Sequence, residues 1–414
     1  MPEFLELIPP QEALKTLLNR YDPLREVEIV ATECALGRIA SSSVIAPHPL
    51  PSFSKSTVDG YAVIASDTYG ASETLPGYLK VTGEVLMGAV PDFSLSSALC
   101  AVIHTGGLLP EGADAVLMLE YAQPVQENEI EFYRSVAFGE NVIYVGEDVK
   151  SGQEVIPAGI RLRPAEIGGL MALGITKINV FRKPKVGIIS SGDELITPDI
   201  NLTPGKVRDV NSYTLSALVE SAGGVGMRYD IVPDQIDSMI ASLKVALDEC
   251  DMVVITAGSS TSTRDYTAQV INQLGPPGVM VHGVNIKPGK PTILGLCAGK
   301  PVIGLPGNPV SALVIASLFV VPVMEVFSGS HRSFPRPKLT AQLTKNLASN
   351  AGREDWVAVQ IVMDESISST YYLAEPIFGK SNLIFTLARA DGLIQISADA
   401  TGLAAGDAVE VVMF

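Results

Sequence analysis

The strongest constraint on the fold is an alternation of strand and helix patterns between residues 181 and 327. Apolar runs at residues 186–189, 227–231, 252–255 and 302–303 have the length and composition of buried strands. Apolar residues at helical spacing follow residue 210 and again residue 235. This alternation predicts a doubly wound α/β domain with a parallel sheet and helices on both faces.

The rest of the chain is arranged around this central domain. A chain of 414 residues exceeds a single ordinary core. Residues 1–46 and 141–180 have a mixed pattern and predict one discontinuous α/β domain, while 47–140 has glycine-separated apolar runs and predicts an inserted, mostly β domain. Residues 328–414 predict a small C-terminal β domain. The expected architecture is therefore multidomain, α/β plus β, with four units.

Composition and charge exclude several classes of protein. The hydrophobic fraction of 47% and charged fraction of 18% are typical of a soluble globular chain. The formal net charge of −16 disfavours nucleic-acid binding, which needs clustered Lys and Arg. The N-terminus lacks a signal-peptide pattern, and four dispersed cysteines form no CxxC pair. We therefore expect a cytoplasmic protein with free thiols and no nucleic-acid partner.

One segment, residues 310–324, is nearly all apolar and resembles a membrane span. It contains Pro322 and ends at Glu325, which leaves about 15 residues where a spanning helix needs roughly 20. We interpret it as a buried core helix and expect no membrane association.

Polar and glycine-rich segments follow three of the predicted strands. Ligands collect at the carboxyl ends of parallel strands, where hydroxyls and backbone N–H groups suit phosphate and carboxylates suit Mg²⁺. The candidates are Ser191, Gly192, Asp193 and Glu194 after the first strand, Gly258, Ser259, Ser260 and Asp265 after the third, and Pro306, Gly307, Asn308, Pro309 and Ser311 after the last. Asp265 would complete a metal site with Glu194. The alternatives are an acid that merely offsets a helix dipole and a solvated serine-rich loop.

Further candidates lie outside these strand ends. Lys287 and Lys290 stand in a proline-stiffened loop of an otherwise acidic chain, either as anion-binding cations or as parts of a surface turn. Asp59, Thr105 and Asp148 lie in tight turns, and their spacing does not place them in one pocket. The chain contains no GxSxG, HExxH or GxxxxGK[ST] motif, which disfavours serine hydrolase, zinc enzyme and P-loop kinase activities.

Taken in order, seven motifs resemble those of the molybdopterin molybdenumtransferase family, which includes bacterial MoeA proteins and the E domain of gephyrin. The match spans nearly the whole chain. The motifs are Asp59-Gly60-Tyr61-Ala62, Thr105-Gly106, Gly112-Ala113-Asp114-Ala115-Val116, Gly146-Glu147-Asp148, Ser191-Gly192-Asp193-Glu194-Leu195, Lys287-Pro288-Gly289-Lys290-Pro291 and Pro306-Gly307-Asn308-Pro309-Val310-Ser311.

The resemblance implies insertion of molybdate into adenylated molybdopterin with release of AMP. It also implies Mg²⁺ as cofactor and a homodimer whose active cleft is shared between subunits. The implied residue roles are Glu194 and Asp265 at the metal and pyrophosphate, Pro306 and Pro309 around molybdate, Lys287 and Lys290 against anionic oxygens, Asp234 as a further matching acid, and Asp59, Thr105 and Asp148 on the second subunit's cleft wall.

The chain departs from the family pattern at a few positions. Ser259-Ser260-Thr261 stands where many members have a second glycine and a valine, some members have lysine where Gly283 stands, and Ala358 replaces an expected arginine. These departures keep open a tungstate-preferring homologue and a non-catalytic molybdopterin-binding scaffold. A third alternative, an adenylyltransferase acting on molybdopterin, resembles residues 181–327 alone and is disfavoured by the domains at both ends.

Overall fold

The fold is described from a computed structural model that covers residues 7–257, 261–330, 336–364 and 371–414. For residues 261–265, 364 and 371 only the backbone is described. The N-terminal piece contains helix α1 (Pro10–Leu18), strand β1 (Val27–Ala31), a 3-10 helix (Thr32–Cys34) and strand β2 (Val44–Ile45).

The next segment forms the mostly β domain that the sequence predicts. Six of its strands make one sheet in the order β7-β4-β6-β5-β9-β8, antiparallel except for the pair β5 and β6. Alternating side chains pack on both faces, with Leu79 and Phe132 on one and Val85 and Ile103 on the other. The elements are β3 (Lys55–Ser56), β4 (Gly60–Val63), β5 (Gly77–Val85), β6 (Leu99–Ile103), β7 (Ala115–Met118), β8 (Ala122–Gln126) and β9 (Glu129–Phe132), with 3-10 helices at Ala65–Thr68 and Leu119–Tyr121.

The chain then returns to the first domain. Strand β12 pairs antiparallel with β1, and β11 pairs with β2, so the sequence separated by the insertion forms one unit. Its core includes Ala40, Ile156, Leu170 and Val180. The elements of this unit are β11 (Glu154–Ile156), α2 (Pro164–Ala172) and β12 (Lys177–Phe181). The preceding strand, β10 (Val142–Ile143), still belongs to the inserted domain, because it pairs antiparallel with β3 and Val142 packs in that domain's core.

The central domain has a six-stranded sheet in the order β16-β13-β17-β21-β20-β18. The first four strands run parallel, as the sequence predicts. The elements are β13 (Lys185–Ser190), β14 (Leu195–Ile196), β15 (Val207–Arg208), α3 (Asn211–Ser221), β16 (Val225–Arg228), α4 (Ile236–Glu249), β17 (Met252–Ala257), α5 (Thr261–Gln273), β18 (Pro277–His282), β19 (Ile286–Lys287), β20 (Ile293–Cys297), β21 (Lys300–Pro306) and α6 (Pro309–Phe327).

Two further strands, which the sequence pattern did not predict, pair antiparallel at one edge of the sheet. Strand β20 forms an antiparallel hairpin with β21, and β18 is antiparallel to β20. All five residues of β20 are buried, because the neighbouring strands and α1 cover it. Although β20 lies next to the edge of the sheet, it therefore has the apolar composition of a central strand. Strand β16 also begins two residues before the predicted 227–231 and ends at Arg228.

Helices cover both faces of this sheet, in agreement with the prediction. Side chains of α3 and α6 share one core cluster with Ile188 and Ile303, whereas α4 and α5 share another with Ile189 and Val302. Helix α1 adds Leu17 to the first cluster, so the start of the chain packs on the central sheet.

Helix α6 is the apolar segment that resembles a membrane span. It has 19 residues and is long and apolar enough to cross a membrane, so the length argument from the sequence is wrong. Pro322 lies within the helix and does not end it. Twelve of its residues are buried in the protein, which confirms the expected core helix.

The C-terminal domain is a small closed barrel. Strands β24, β25, β22, β28 and β26 pair in that order, and β26 pairs back with β24. Strand β19 of the central domain pairs parallel with β24 and joins the two domains. The elements are β22 (Lys338–Leu343), β23 (Leu347–Ala348), β24 (Glu354–Asp364), β25 (Tyr371–Pro376), α7 (Phe385–Ala388), β26 (Gly392–Ile396), β27 (Gly402–Leu403) and β28 (Ala408–Met413).

Candidate functional site

A cavity of about 930 Å³ lies between the central α/β domain and the C-terminal barrel. Its central-domain wall includes Ala257 and Pro306, the last residues of β17 and β21. Its barrel wall includes residues 353 and 355–358 and residues 377–382. The cavity therefore opens at the carboxyl ends of parallel strands, where the sequence predicts a ligand.

The start of α6 forms one side of this cavity. Gly307, Asn308 and Ser311 line it, while Pro309 is the first residue of the helix and is absent from the lining. The side-chain amide of Asn211 donates a 2.8 Å hydrogen bond to the Gly307 carbonyl and fixes the turn between β21 and α6. A helix N-terminus carries partial positive charge, which favours an anion at this side.

The lysine loop packs against the same helix. Gly289 has a φ of +111°, and an added Cβ would lie 2.2 Å from Cγ1 of Ile315 in α6. Only glycine allows this close approach without displacing the loop. The loop consequently places Lys287 and Lys290 in the lining of the cavity.

The barrel contributes charged residues that sequence reasoning missed. The Asp355 side chain is buried and accepts two hydrogen bonds from Arg353, at 2.8 and 3.3 Å, with the Lys287 ammonium 3.8 Å away. Lys380 also lines the cavity. Among the described residues, the charged lining consists of four cations and this one carboxylate. The cavity is thus locally positive in a chain with a formal net charge of −16.

A second cluster of predicted residues surrounds the carboxyl end of β13. Ser191 donates a 2.6 Å hydrogen bond to the Asp234 carboxylate, and the Asp234 N–H donates to Asp193 at 3.3 Å. The Glu194 carboxylate lies over Gly192, where an added Cβ would come within 2.8 Å of it. The structure therefore brings three of the predicted acids, Asp193, Glu194 and Asp234, to one strand end. Strand β17 separates this strand end from the cavity-lining end of β21.

A buried polar network beneath these acids was also missed by sequence reasoning. Ser190 donates to Asp209 at 3.0 Å, and Asp209 accepts a further bond from the Ser212 N–H at 3.1 Å. Thr256 donates to Ser190 at 3.3 Å and links β13 with β17. The only sequence signal for this network is the polar ends of otherwise apolar strands. It holds the two strand ends in register below the candidate ligand site.

Part of the predicted site lies outside the described residues. Gly258, Ser259 and Ser260 are not described, nor is the side chain of Asp265, although its backbone belongs to α5. The predicted pairing of Glu194 with Asp265 therefore stays a prediction. Within the described ranges, no three His, Cys, Asp or Glu side chains form a group suited to a metal ion.

The remaining candidates lie in the first two domains. The N–H and the hydroxyl of Thr105 donate to Asp59 at 2.7 and 3.1 Å and lower the pKa of that carboxyl below its usual value. Asp148 donates its backbone N–H to Leu50. These three residues are absent from the described lining of the cavity, so the structure joins Asp59 with Thr105 and leaves both apart from the lysines.

The fold and the cavity define a multidomain α/β protein with a cation-lined cavity at the carboxyl ends of its parallel strands. Three family models match consecutive parts of the chain: "MoeA N-terminal region (domain I and II)" at residues 8–174, "Probable molybdopterin binding domain" at 187–326 and "MoeA C-terminal region (domain IV)" at 340–414. The chain belongs to the molybdopterin molybdenumtransferase family.

Relatives of known sequence or structure cover the chain almost completely. A Staphylococcus epidermidis molybdopterin molybdenumtransferase is 30% identical over 97% of this chain and 94% of its own length. A protein of Methanocaldococcus jannaschii named for molybdopterin biosynthesis is 38% identical over 97% and 94%. A molybdopterin biosynthesis protein of Pyrococcus horikoshii superposes with a TM-score of 0.80 at 37% identity, covering 99% of both chains.

Family membership confirms three predictions from the sequence. They are the resemblance itself, the multidomain fold with a central molybdopterin-binding α/β domain, and an enzyme of molybdenum cofactor biosynthesis. The full-length matches also account for the domains at both ends, which a single-domain adenylyltransferase would not need.

Proposed function

We propose that this protein inserts molybdate into adenylated molybdopterin and releases AMP. The observation that supports this reaction best is the cation-lined cavity at the strand ends, built jointly by the central domain and the barrel. Two anionic reactants must meet, and Coulomb repulsion opposes their approach unless fixed cations offset it. Lys290 and the start of α6 provide such groups, and no covalent nucleophile on the protein is needed.

The strand end at β13 supports Mg²⁺ as the cofactor. Asp193, Glu194 and Asp234 offer hard carboxylate oxygens, and Glu194 is exposed to solvent. Mg²⁺ typically binds through one or two carboxylates together with substrate phosphates, so the donor chemistry fits. We assign Glu194 and Asp265 as the residues that would hold it. When bound, the ion would polarise the phosphoanhydride and stabilise the leaving AMP.

We also propose a cytoplasmic homodimer with a shared cleft. Asp59 and Thr105 form one hydrogen-bonded unit outside the described cavity lining, although the family resemblance assigns both to the cleft wall. Contribution from a second subunit reconciles these two observations. In such a dimer each cleft combines one chain's cavity with the other chain's Asp59, Thr105 and Asp148.

A competition experiment measures whether the enzyme prefers molybdate or tungstate. Ala358 lines the cavity at a position where the family resemblance leads us to expect arginine, and this departure keeps a tungstate-preferring enzyme as the second candidate. We expect molybdate to be used before tungstate when both are supplied at equal concentration. Preferential incorporation of tungstate, measured by mass spectrometry of the product, would favour the second candidate.

The reaction is tested with purified protein, adenylated molybdopterin, molybdate and Mg²⁺. We expect AMP release that depends on all three additions, measured by chromatography of the nucleotide. A matched reaction with chelator and without Mg²⁺ serves as the control. AMP release no greater than in that control would contradict the reaction and favour a molybdopterin-binding scaffold without turnover.

A further inference from the structure

We propose that Lys380, on the barrel side of the cavity, is a specificity-determining residue that binds the free tetrahedral oxyanion together with Lys290. This inference rests on the proposed function and assigns its inorganic substrate to a two-domain site. The two lysines reach the cavity from different domains, Lys290 from the loop after β19 and Lys380 from the loop after β25.

The backbone around Lys380 is held on several sides. An added Cβ at Gly379 would lie 2.5 Å from the Thr386 hydroxyl, so the loop packs closely against the segment that follows it. The Lys380 carbonyl accepts a 3.0 Å hydrogen bond from Leu383, which closes a tight turn. A restrained backbone limits the region that the ammonium on the flexible lysine side chain can reach.

The residue after Lys380 fastens this loop to the central domain. The Ser381 carbonyl accepts a 3.0 Å hydrogen bond from the Val310 N–H in the first turn of α6. The side-chain amide of Asn308 donates to the Ser381 hydroxyl at 3.1 Å. These bonds keep Lys380 beside the N-terminus of α6, where an anion is already favoured.

The other charges of the cavity leave these two lysines available. Asp355 is already engaged by Arg353 at 2.8 Å and by Lys287 at 3.8 Å. Neither Lys290 nor Lys380 has an ion-pair partner among the residues that the structure describes. Two available ammonium groups match a dianion such as molybdate or tungstate, and lysine binds such oxygens as a point charge.

A phosphate group of the adenylated pterin has similar chemistry, so binding of the two anions is measured separately. Equilibrium dialysis of the full chain with molybdate alone, and in a second series with AMP alone, gives the two dissociation constants. The variants are Lys380→Gln, which removes the charge, and Lys380→Arg, which keeps it. Lys244→Gln, on the exposed side of α4, is the matched control.

We expect Lys380→Gln to raise the Kd for molybdate roughly tenfold, because one of the two proposed cationic ligands is lost. AMP binding should change less than threefold, on the order expected for a more distant charge. Lys380→Arg should retain most of the affinity for molybdate, and Lys244→Gln should match the unchanged protein. Equal thermal midpoints across the variants would establish that the fold is intact.

Turnover distinguishes this inference from the proposed function. In the AMP-release assay, Lys380→Gln should raise the KM for molybdate and leave the KM for adenylated molybdopterin nearly unchanged. An unaltered Kd and KM for molybdate, or a loss confined to AMP binding, would overturn the role of Lys380. Failure of the unchanged protein to release AMP would instead refute the proposed reaction, and the dialysis would still decide the role of Lys380.

Discussion

The carboxylates of this protein differ in their exposure and in the hydrogen bonds and ion pairs that they form. Asp355 is 3% exposed and tied to Arg353, so its charge is largely used within the cavity wall. Asp59 is exposed and accepts hydrogen bonds from the N–H and the hydroxyl of Thr105, which keep its pKa below the usual value. Glu194 is exposed beside Gly192, with no ion pair among the described residues. An exposed acid without a structural partner is the one best suited to bind a ligand.

We predict that Glu194→Gln raises the Mg²⁺ concentration needed for half-maximal AMP release by roughly tenfold or more, because one of two proposed carboxylate ligands loses its charge. Stability should change by less than about 0.5 kcal/mol, since the side chain is exposed. The measurement is a Mg²⁺ titration of turnover, with unfolding followed in parallel.

Glu220→Gln, on the exposed side of α3, is the control for this variant. An unchanged Mg²⁺ requirement in Glu194→Gln would remove Glu194 from the proposed metal site. Asp265→Ala should likewise reduce turnover strongly, as expected for a carboxylate that binds a ligand and contributes little to the core.

At the scale of elements, the site depends on how a loop packs on a helix. The start of helix α6 forms one side of the cavity. The lysine loop packs against the same helix through the contact between Gly289 and Ile315. The burial of α6 in the core gives the loop a rigid support. The positions of Lys287 and Lys290 are therefore set by a contact that involves neither lysine.

We predict that Gly289→Ala weakens molybdate binding and lowers the free energy of unfolding. An added Cβ combines a strained φ, at about 1 to 3 kcal/mol, with overpacking of similar size against Ile315. Both effects displace the loop from α6. Urea unfolding and equilibrium dialysis measure the two consequences.

Gly299→Ala is the matched control, because Gly299 also has a positive φ, +81°, and no atom within 4 Å of an added Cβ. Gly299→Ala should lower the free energy of unfolding through backbone strain alone and leave molybdate binding unchanged. Equal losses of stability in the two variants would mean that the contact with Ile315 has no effect of its own.

At the scale of the whole molecule, the domains are joined by specific contacts. Arg182 bridges the discontinuous domain and the central domain through Glu26 at 2.6 Å and Asp251 at 2.9 Å, and these acids raise its pKa. Strand β19 pairs with β24 of the barrel. These contacts between domains determine which residues of one chain line the cation-lined cavity. Asp59 is not among the described lining residues.

We predict that two inactive variants restore activity when they form mixed dimers. Lys290→Gln damages the cavity and Asp59→Asn damages the proposed wall from the second subunit. In a mixed dimer one cleft carries both changes and the other carries neither. After unfolding and refolding an equal mixture, roughly a quarter of the clefts should be intact for random pairing.

The measurement is AMP release by the refolded mixture, with each variant refolded alone as the control. Size-exclusion chromatography with light scattering gives the oligomeric state. No recovery from a mixture that has formed dimers would mean that Asp59 and Lys290 do not act in a shared cleft.

Local sequence patterns were sufficient for much of the fold and for one wall of the site. The four parallel strands, the helices on both faces and the lysine loop follow from hydrophobic periodicity and from glycine and proline positions, which depend only on neighbouring residues. The antiparallel edge was missed because β20 is covered on all sides and has no alternating pattern. The length of α6 was misjudged because Glu325, which ends the apolar run, does not end the helix, and the helix extends from Pro309 to Phe327.

The cation-lined cavity is a different case, because its two walls lie far apart in the chain. The sequence by itself determined that Lys287 and Lys290 stand in a proline-stiffened loop, and that an acidic chain needs local positive charge to bind an anion. Only the tertiary structure decided that Arg353 and Lys380 face them, through the pairing of β19 with β24 and the bonds from α6 to Ser381. The physical reason is that a hydrophobic pattern indicates which residues of one segment are buried. A site between domains depends instead on which surfaces, far apart in the sequence, pack against each other.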